Sequence, residues 1–139
     1  VEINAFRYRK TPVTVRVETQ TPLPVLREAS AALITGSHVV FSFEAAPPDV
    51  LAAILEHHGF TVEIAANEVF DKAVRGRVRY LGGRNLLEEV GGSIDVTVYA
   101  GASLLPGRLA LLPYLREQAV SITNHRFGHP TALTSELHL

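Results

Sequence analysis

The sequence contains no cysteine and no methionine. Without cysteine there is no disulfide, no thiolate ligand for a metal and no cysteine nucleophile. With no methionine and with Val1 as its first residue, the chain is expected to be a processed or excised piece of a longer protein. An excess of charge is also missing. Thirteen Lys and Arg against 14 Asp and Glu leave a net −1, so no overall field draws the chain to nucleic acid or to an anionic membrane. No apolar run approaches the ~20 residues of a membrane span, and no signal-peptide pattern is present. What remains is an ordinary globular composition, 47% hydrophobic and 19% charged, in 139 residues, the size of a single domain with its own core.

Periodicity divides the chain into alternating strands and helices. "FRYRK" interleaves Arg7, Arg9 and Lys10 with Phe6 and Tyr8, which predicts an extended arm. "VTVRVE" from Val13 alternates apolar and polar residues, the pattern of a half-exposed strand. Apolar spacing predicts a helix over 25–35, closed by Gly36. "VVFSF" from Val39 is nearly continuous, as in a strand covered on both faces. Pro47, Pro48 and Asp49 announce a helix over 50–58 that ends before Gly59. "FTVEIA" is the next strand, Asn67 is expected to cap a short helix to about Ala73, and "RVRYL" is strand-like before Gly82 and Gly83.

Asn85 and Glu88 have the spacing of a capping box for a helix over 86–90, followed by the strand "IDVTVYA". A last helix is expected over 109–119, kinked or restarted at Pro113, with "VSIT" as the final strand. Elements alternating at this spacing predict a doubly wound, mainly parallel α/β sheet with helices on both faces. The expected layout is an arm over 1–18, an α/β domain over 19–130 and a tail over 131–139.

Few motifs carry chemistry. No strand-to-helix turn has G-x-G-x-x-G or a phosphate loop, and in "LGGRNLLEE" a phosphate would meet Glu88 and Glu89 in the first helical turn. His57 and His58 suit a helix end, and as neighbours on a helix they point apart. His125 and His129 are four residues apart, but Gly128 and Pro130 interrupt any helix that would align them. Asp95, Ser121 and His125 can be named as a triad, yet Ser121 lacks the nucleophile-elbow glycines. The basic arm could contact nucleic acid through cations and stacking rings, but pairing with another sheet edge is favoured in an otherwise slightly acidic chain. In "NHRFG", Arg126 can pair with a partner carboxylate and Phe127 can bury its ring, or the segment can pack on its own domain.

"NAFRYRKTPVTVRVE" and "GRLALLPYLREQAVSITNHRFGHP", with "RVRYLGG" and "IDVTVYAG" between them, resemble the C-terminal portion of long proline utilisation A proteins. Those bacterial enzymes join proline dehydrogenase to L-glutamate-γ-semialdehyde dehydrogenase. The resemblance implies a degenerate Rossmann-like domain, similar to that of aldehyde dehydrogenases but without cofactor binding. The FAD and NAD sites of the parent would lie outside the chain, which is not itself an enzyme. Residues 1–18 would correspond to the end of the dehydrogenase module and its oligomerisation flap.

Phe6, Arg7, Tyr8 and Arg9 are then expected at a homo-oligomer contact. Thr123, Asn124, His125, Arg126, Phe127 and Gly128 would dock on the catalytic aldehyde dehydrogenase module and help wall the tunnel that carries the intermediate. The resemblance further implies a cytoplasmic, bacterial protein that binds no nucleic acid and supports channelling. The competing reading is an independent α/β module that binds a small ligand, or a small enzyme, at the carboxyl ends of its strands.

Overall fold

The computed structural model of the chain describes residues 2–19, 21–103 and 107–123. They form two compact units, one made of 2–9 with 116–123 and the other of the described residues within 10–115. In the larger unit five parallel strands make one sheet: β2 (Val13–Val17), β3 (Val39–Phe43), β4 (Thr61–Ile64), β5 (Gly76–Leu81) and β6 (Val96–Tyr99). The spatial order is β4-β3-β2-β5-β6, so the chain winds outward from β2 in one direction, returns, and winds outward in the other. Helices α1 (Pro22–Thr35), α2 (Asp49–His57), α3 (Asn67–Ala73) and α4 (Leu86–Glu89) make the crossovers. The doubly wound α/β sheet read from periodicity is the observed fold.

Strand parity sorts the core into two layers. Val13, Val15 and Val17 lie level with Val39, Phe41 and Phe43, and all six are buried with Val25, Ala29 and Leu55 of α1 and α2. On the other face Val78, Tyr80 and Val96 are buried with Phe70 of α3 and Leu86 of α4. Helix α1 begins three residues earlier than expected, because proline at the first helical position loses only an N–H that is unpaired there anyway. It ends at Gly36, whose φ of 65° lets the N–H groups of Gly36 and Ser37 reach the carbonyls of Leu33 and Ala32.

Four expectations need correction. β2 is not half-exposed: it is a central strand, and Arg16 within it has no exposed surface. It therefore belongs to the sheet, so the expected arm of residues 1–18 is divided and the larger unit starts at Lys10. The helix expected over 109–119 is instead a turn of helix α5 (Gly107–Ala110), a 3₁₀ turn (Leu112–Tyr114) and the strand β7 (Leu115–Thr123). Pro113, which can neither donate to a helix continued from α5 nor clear its carbonyl, sits instead at the start of the 3₁₀ turn, and "REQA" becomes strand through pairing rather than propensity. Neither Asn67 nor Asn85 caps a helix through its side chain: Asn67 is the first residue of α3, and no bond from Asn85 closes the expected box.

In the smaller unit β7 pairs with β1 (Glu2–Lys10) as a two-stranded antiparallel ribbon. The side-chain bonds Tyr8–Glu117, Arg7–Gln118 and Ser121–Asn4 run in opposite chain directions, as antiparallel register requires.

Candidate functional site at the strand carboxyl ends

In a doubly wound sheet, ligands are taken in the crevice at the carboxyl ends of the strands where the winding reverses. Here that point lies between β2 and β5, where the Glu18 N–H donates to the Leu81 carbonyl at 2.9 Å. A cleft of about 550 Å³ opens there, lined by Glu18, Thr19, Arg27, Gly82, Gly83 and Ser103 among others.

Charged side chains that bind one another occupy the centre of this edge. Glu18, immediately after β2, accepts from the Tyr80 hydroxyl at 2.6 Å and from Arg84 Nη2 at 2.6 Å and Nε at 3.1 Å. The rest of the Arg84 fork goes to Asp71 on α3, at 2.9 and 3.2 Å. The Arg84 N–H donates to the Tyr80 oxygen at 2.9 Å, which fixes the turn after Gly82 and Gly83.

Beneath this cluster Arg16 spans from Ser42 (3.0 Å) to the Ala65 carbonyl (2.8 Å) and Asn67 Oδ1 (2.6 Å), with its guanidinium 4.4 Å from the centre of the Phe70 ring. Asn67 passes the connection on to Glu44 at 2.8 Å. Arg16 Nε lies 3.7 Å from Glu18 and is, among the described residues, the one buried side-chain polar atom without a hydrogen bond.

The electrostatics follow from these contacts. Burial would raise the pKa of Glu18, but hydrogen bonds from Arg84 and Tyr80 and the charges of Arg84 and Arg16 more than offset it, so the carboxyl ionises below its ordinary range. Burial and the bond to Glu18 raise the Tyr80 phenol, and the bonds to Glu18 and Asp71 raise Arg84. Tyr80 therefore stays neutral and Glu18 charged at neutral pH. With its oxygens engaged by three donors, Glu18 is a structural counter-ion and not a free general base.

The same geometry opposes a diphosphate. The turn from β2 into α1 presents the Glu18 carboxylate, and Pro22 and Pro24 delete two of the first-turn N–H donors that would otherwise face an anion.

A second buried network lies on the opposite face of β5. Glu28 of α1 and Arg79, each 4% exposed, pair at 3.0 Å through both Arg79 Nε and Nη2. Ser103 donates to Glu28 at 2.6 Å and Tyr114 at 2.8 Å, while Arg79 Nη1 reaches the carbonyls of Tyr80, Tyr99 and Gly101. One carboxylate thus joins α1, β5, the loop after β6 and the 3₁₀ turn. Burial, with the neighbouring Glu28 charge, pushes the Tyr114 phenol far up, so it remains a donor.

Gly82 shows how tightly the switch point is built. A Cβ there would run into the ring and hydroxyl of Tyr80, whereas one at Gly83 would meet open space. Gly82→Ala is expected to cost about 1–3 kcal/mol by displacing Tyr80. Gly83→Ala should stay within about 0.5 kcal/mol. Urea unfolding of the two variants checks this, and equal midpoints would show that Tyr80 is not held as described.

The residues singled out from sequence fall elsewhere. Phe6, Arg7, Tyr8 and Arg9 lie on β1, with Phe6 and Tyr8 61% and 53% exposed and their rings edge to face at 5.7 Å. Arg7 donates to Gln118 at 2.8 Å and Tyr8 to Glu117 at 3.2 Å. Thr123 ends β7, so the ribbon sets the arm beside the strand that leads into the closing motif. Asn124, His125, Arg126, Phe127 and Gly128 lie outside the described residues, as does His129.

Of the named triad, His125 is likewise outside, while the Ser121 hydroxyl donates to Asn4 and the Asp95 carbonyl accepts from Gly76. The rings of His57 and His58 stack edge to face at 5.3 Å, and no group of three metal-ligating side chains occurs among the described residues. The ion network itself was missed. A single arginine inside an alternating strand reads as solvent-facing, and only the double flanking of β2 reveals Arg16 as buried.

Five parallel strands wound in both directions from β2, with helices on each face, define a Rossmann-like α/β domain. No protein-family model and no curated protein matches the chain. Among solved structures it is similar to proline utilization A (PutA) from Corynebacterium freiburgense, at 26% identity and a TM-score of 0.55. The match covers 91% of this chain and 11% of that one, so the chain is related to a segment of a PutA protein and spans a small part of its length.

Proposed function

We propose that the chain is a non-catalytic domain of a PutA-like, bifunctional proline-catabolic enzyme. It docks on the aldehyde dehydrogenase module of its parent and supports that module's activity, channelling and oligomerisation. The observation that carries this reading is the likeness to a PutA segment over 91% of the chain. Two features of the structure support it. At the switch point the Glu18 carboxylate is taken up by Arg84 and Tyr80, and Pro22 and Pro24 remove N–H donors from the first turn of α1. The β1–β7 ribbon carries exposed Phe6 and Tyr8, and a two-stranded ribbon is marginal in water unless further surface covers it. FAD and NAD are then bound by the parent outside this chain.

The test is a truncation placed by the observed domain limits. Ending the parent before Thr11 removes the whole parallel sheet. Proline oxidation is expected to persist, while semialdehyde oxidation and coupled proline-to-glutamate turnover fall about tenfold or more. Equal rates for intact and truncated enzyme would exclude a supporting role.

A further inference from the structure

The turn 100–102, with α5 and the 3₁₀ turn, borders a half-open cavity of about 330 Å³ against α1 and β5. Its size falls at the lower end of ligand pockets. Leu109, Ala110, Leu112 and Pro113 form one side, and Tyr99 with the alanine-rich turn 100–102 the other. Leu109 and Leu112 are 48% and 41% exposed, large apolar groups left facing water at the rim.

The lining also includes Glu28 and Arg79, and their chemistry selects the ligand. The Glu28 carboxylate is held by Arg79, Ser103 and Tyr114, and Arg79 by Glu28 and three carbonyls. The one buried orphan polar atom among the described residues, Arg16 Nε, belongs to the other network. A charged ligand would have to break this pair or enter without a counter-ion, and either is costly. A neutral apolar molecule needs no such exchange and covers Leu109 and Leu112. With about 330 Å³ of space, it has room for a bicyclic aromatic.

We infer that this cavity is a binding site for a small, neutral, largely apolar molecule of about the size of indole. The site is separate from the docking role and does not depend on it. The test uses the 139-residue chain with labelled alanine and leucine methyl groups, titrated with indole, benzyl alcohol and benzoate. Indole and benzyl alcohol are expected to give saturable shifts confined to Ala100, Ala102, Leu109, Ala110 and Leu112. Benzoate should bind about tenfold more weakly or worse. Ala110→Phe fills the cavity and should abolish the shifts without lowering the unfolding midpoint; Ala102→Phe, in the exposed turn, serves if the first variant does not fold. Absence of saturable shifts with both neutral probes, benzoate binding as well as benzyl alcohol, or undiminished binding in a folded filled variant would overturn the assignment.

Discussion

Replacing Glu28 with alanine is expected to lower the stability of the larger unit by about 3–5 kcal/mol, a sizeable share of what a domain of this size possesses. The loss comes less from the missing attraction than from what is left behind. Arg79, 4% exposed, would keep its charge with no carboxylate, and the buried Tyr114 hydroxyl and Ser103 would lose their acceptor. Because four elements meet at this one side chain, the damage cannot be confined to a fraying end. The measurement is the urea midpoint by circular dichroism for Glu28→Ala, Arg79→Met and the pair together. The double variant should lose clearly less than the sum of the two single ones, because it removes the charge that either single change strands. Additive losses would mean that the two residues do not act as a pair.

The second large effect concerns Glu18 and depends on pH. Glu18→Gln keeps the shape but removes the charge facing Arg84 and Arg16, and is expected to cost about 2–4 kcal/mol at pH 7. The folded carboxyl ionises below its ordinary value because bonds from Arg84 and Tyr80 outweigh the burial that would raise it. A carboxyl depressed in the folded state contributes its full stabilisation above the unfolded value, about 4.3, and loses it as pH falls through the lower folded value. The gap between parent and variant should therefore be widest at neutral pH and shrink on acidification below pH ~4. Unfolding midpoints across that range check the sign. A gap that widened toward acid would contradict the assigned ion pairs.

How much of this was legible beforehand depended on which force decided each element. Strand β3 was readable because a strand covered on both faces leaves a continuous apolar run such as "VVFSF", and Gly36 marked the end of α1 by its conformational freedom. The switch to strand after Pro113 was not readable. Arg116 to Ala119 have helix-forming side chains, and their pairing with β1 depends on residues more than a hundred positions away. The absence of a glycine-rich phosphate turn was evident from the letters, but not what stands in its place. Arg84, in the turn after Gly82 and Gly83, joins Glu18, Asp71 and Tyr80 there. Arg16 looked like a surface residue because alternation reports one covered face, and a central strand has two.

If this domain acts by seating on a dehydrogenase module, as proposed, separate pieces of the parent should reassemble into an active enzyme. The parent enzyme cut before Thr11 would be titrated with the 139-residue chain while semialdehyde oxidation is followed. Saturable association of the two pieces and recovery of the lost rate at equivalence are expected. A folded chain that neither associates with the truncated enzyme nor changes its rate would contradict the proposed seating.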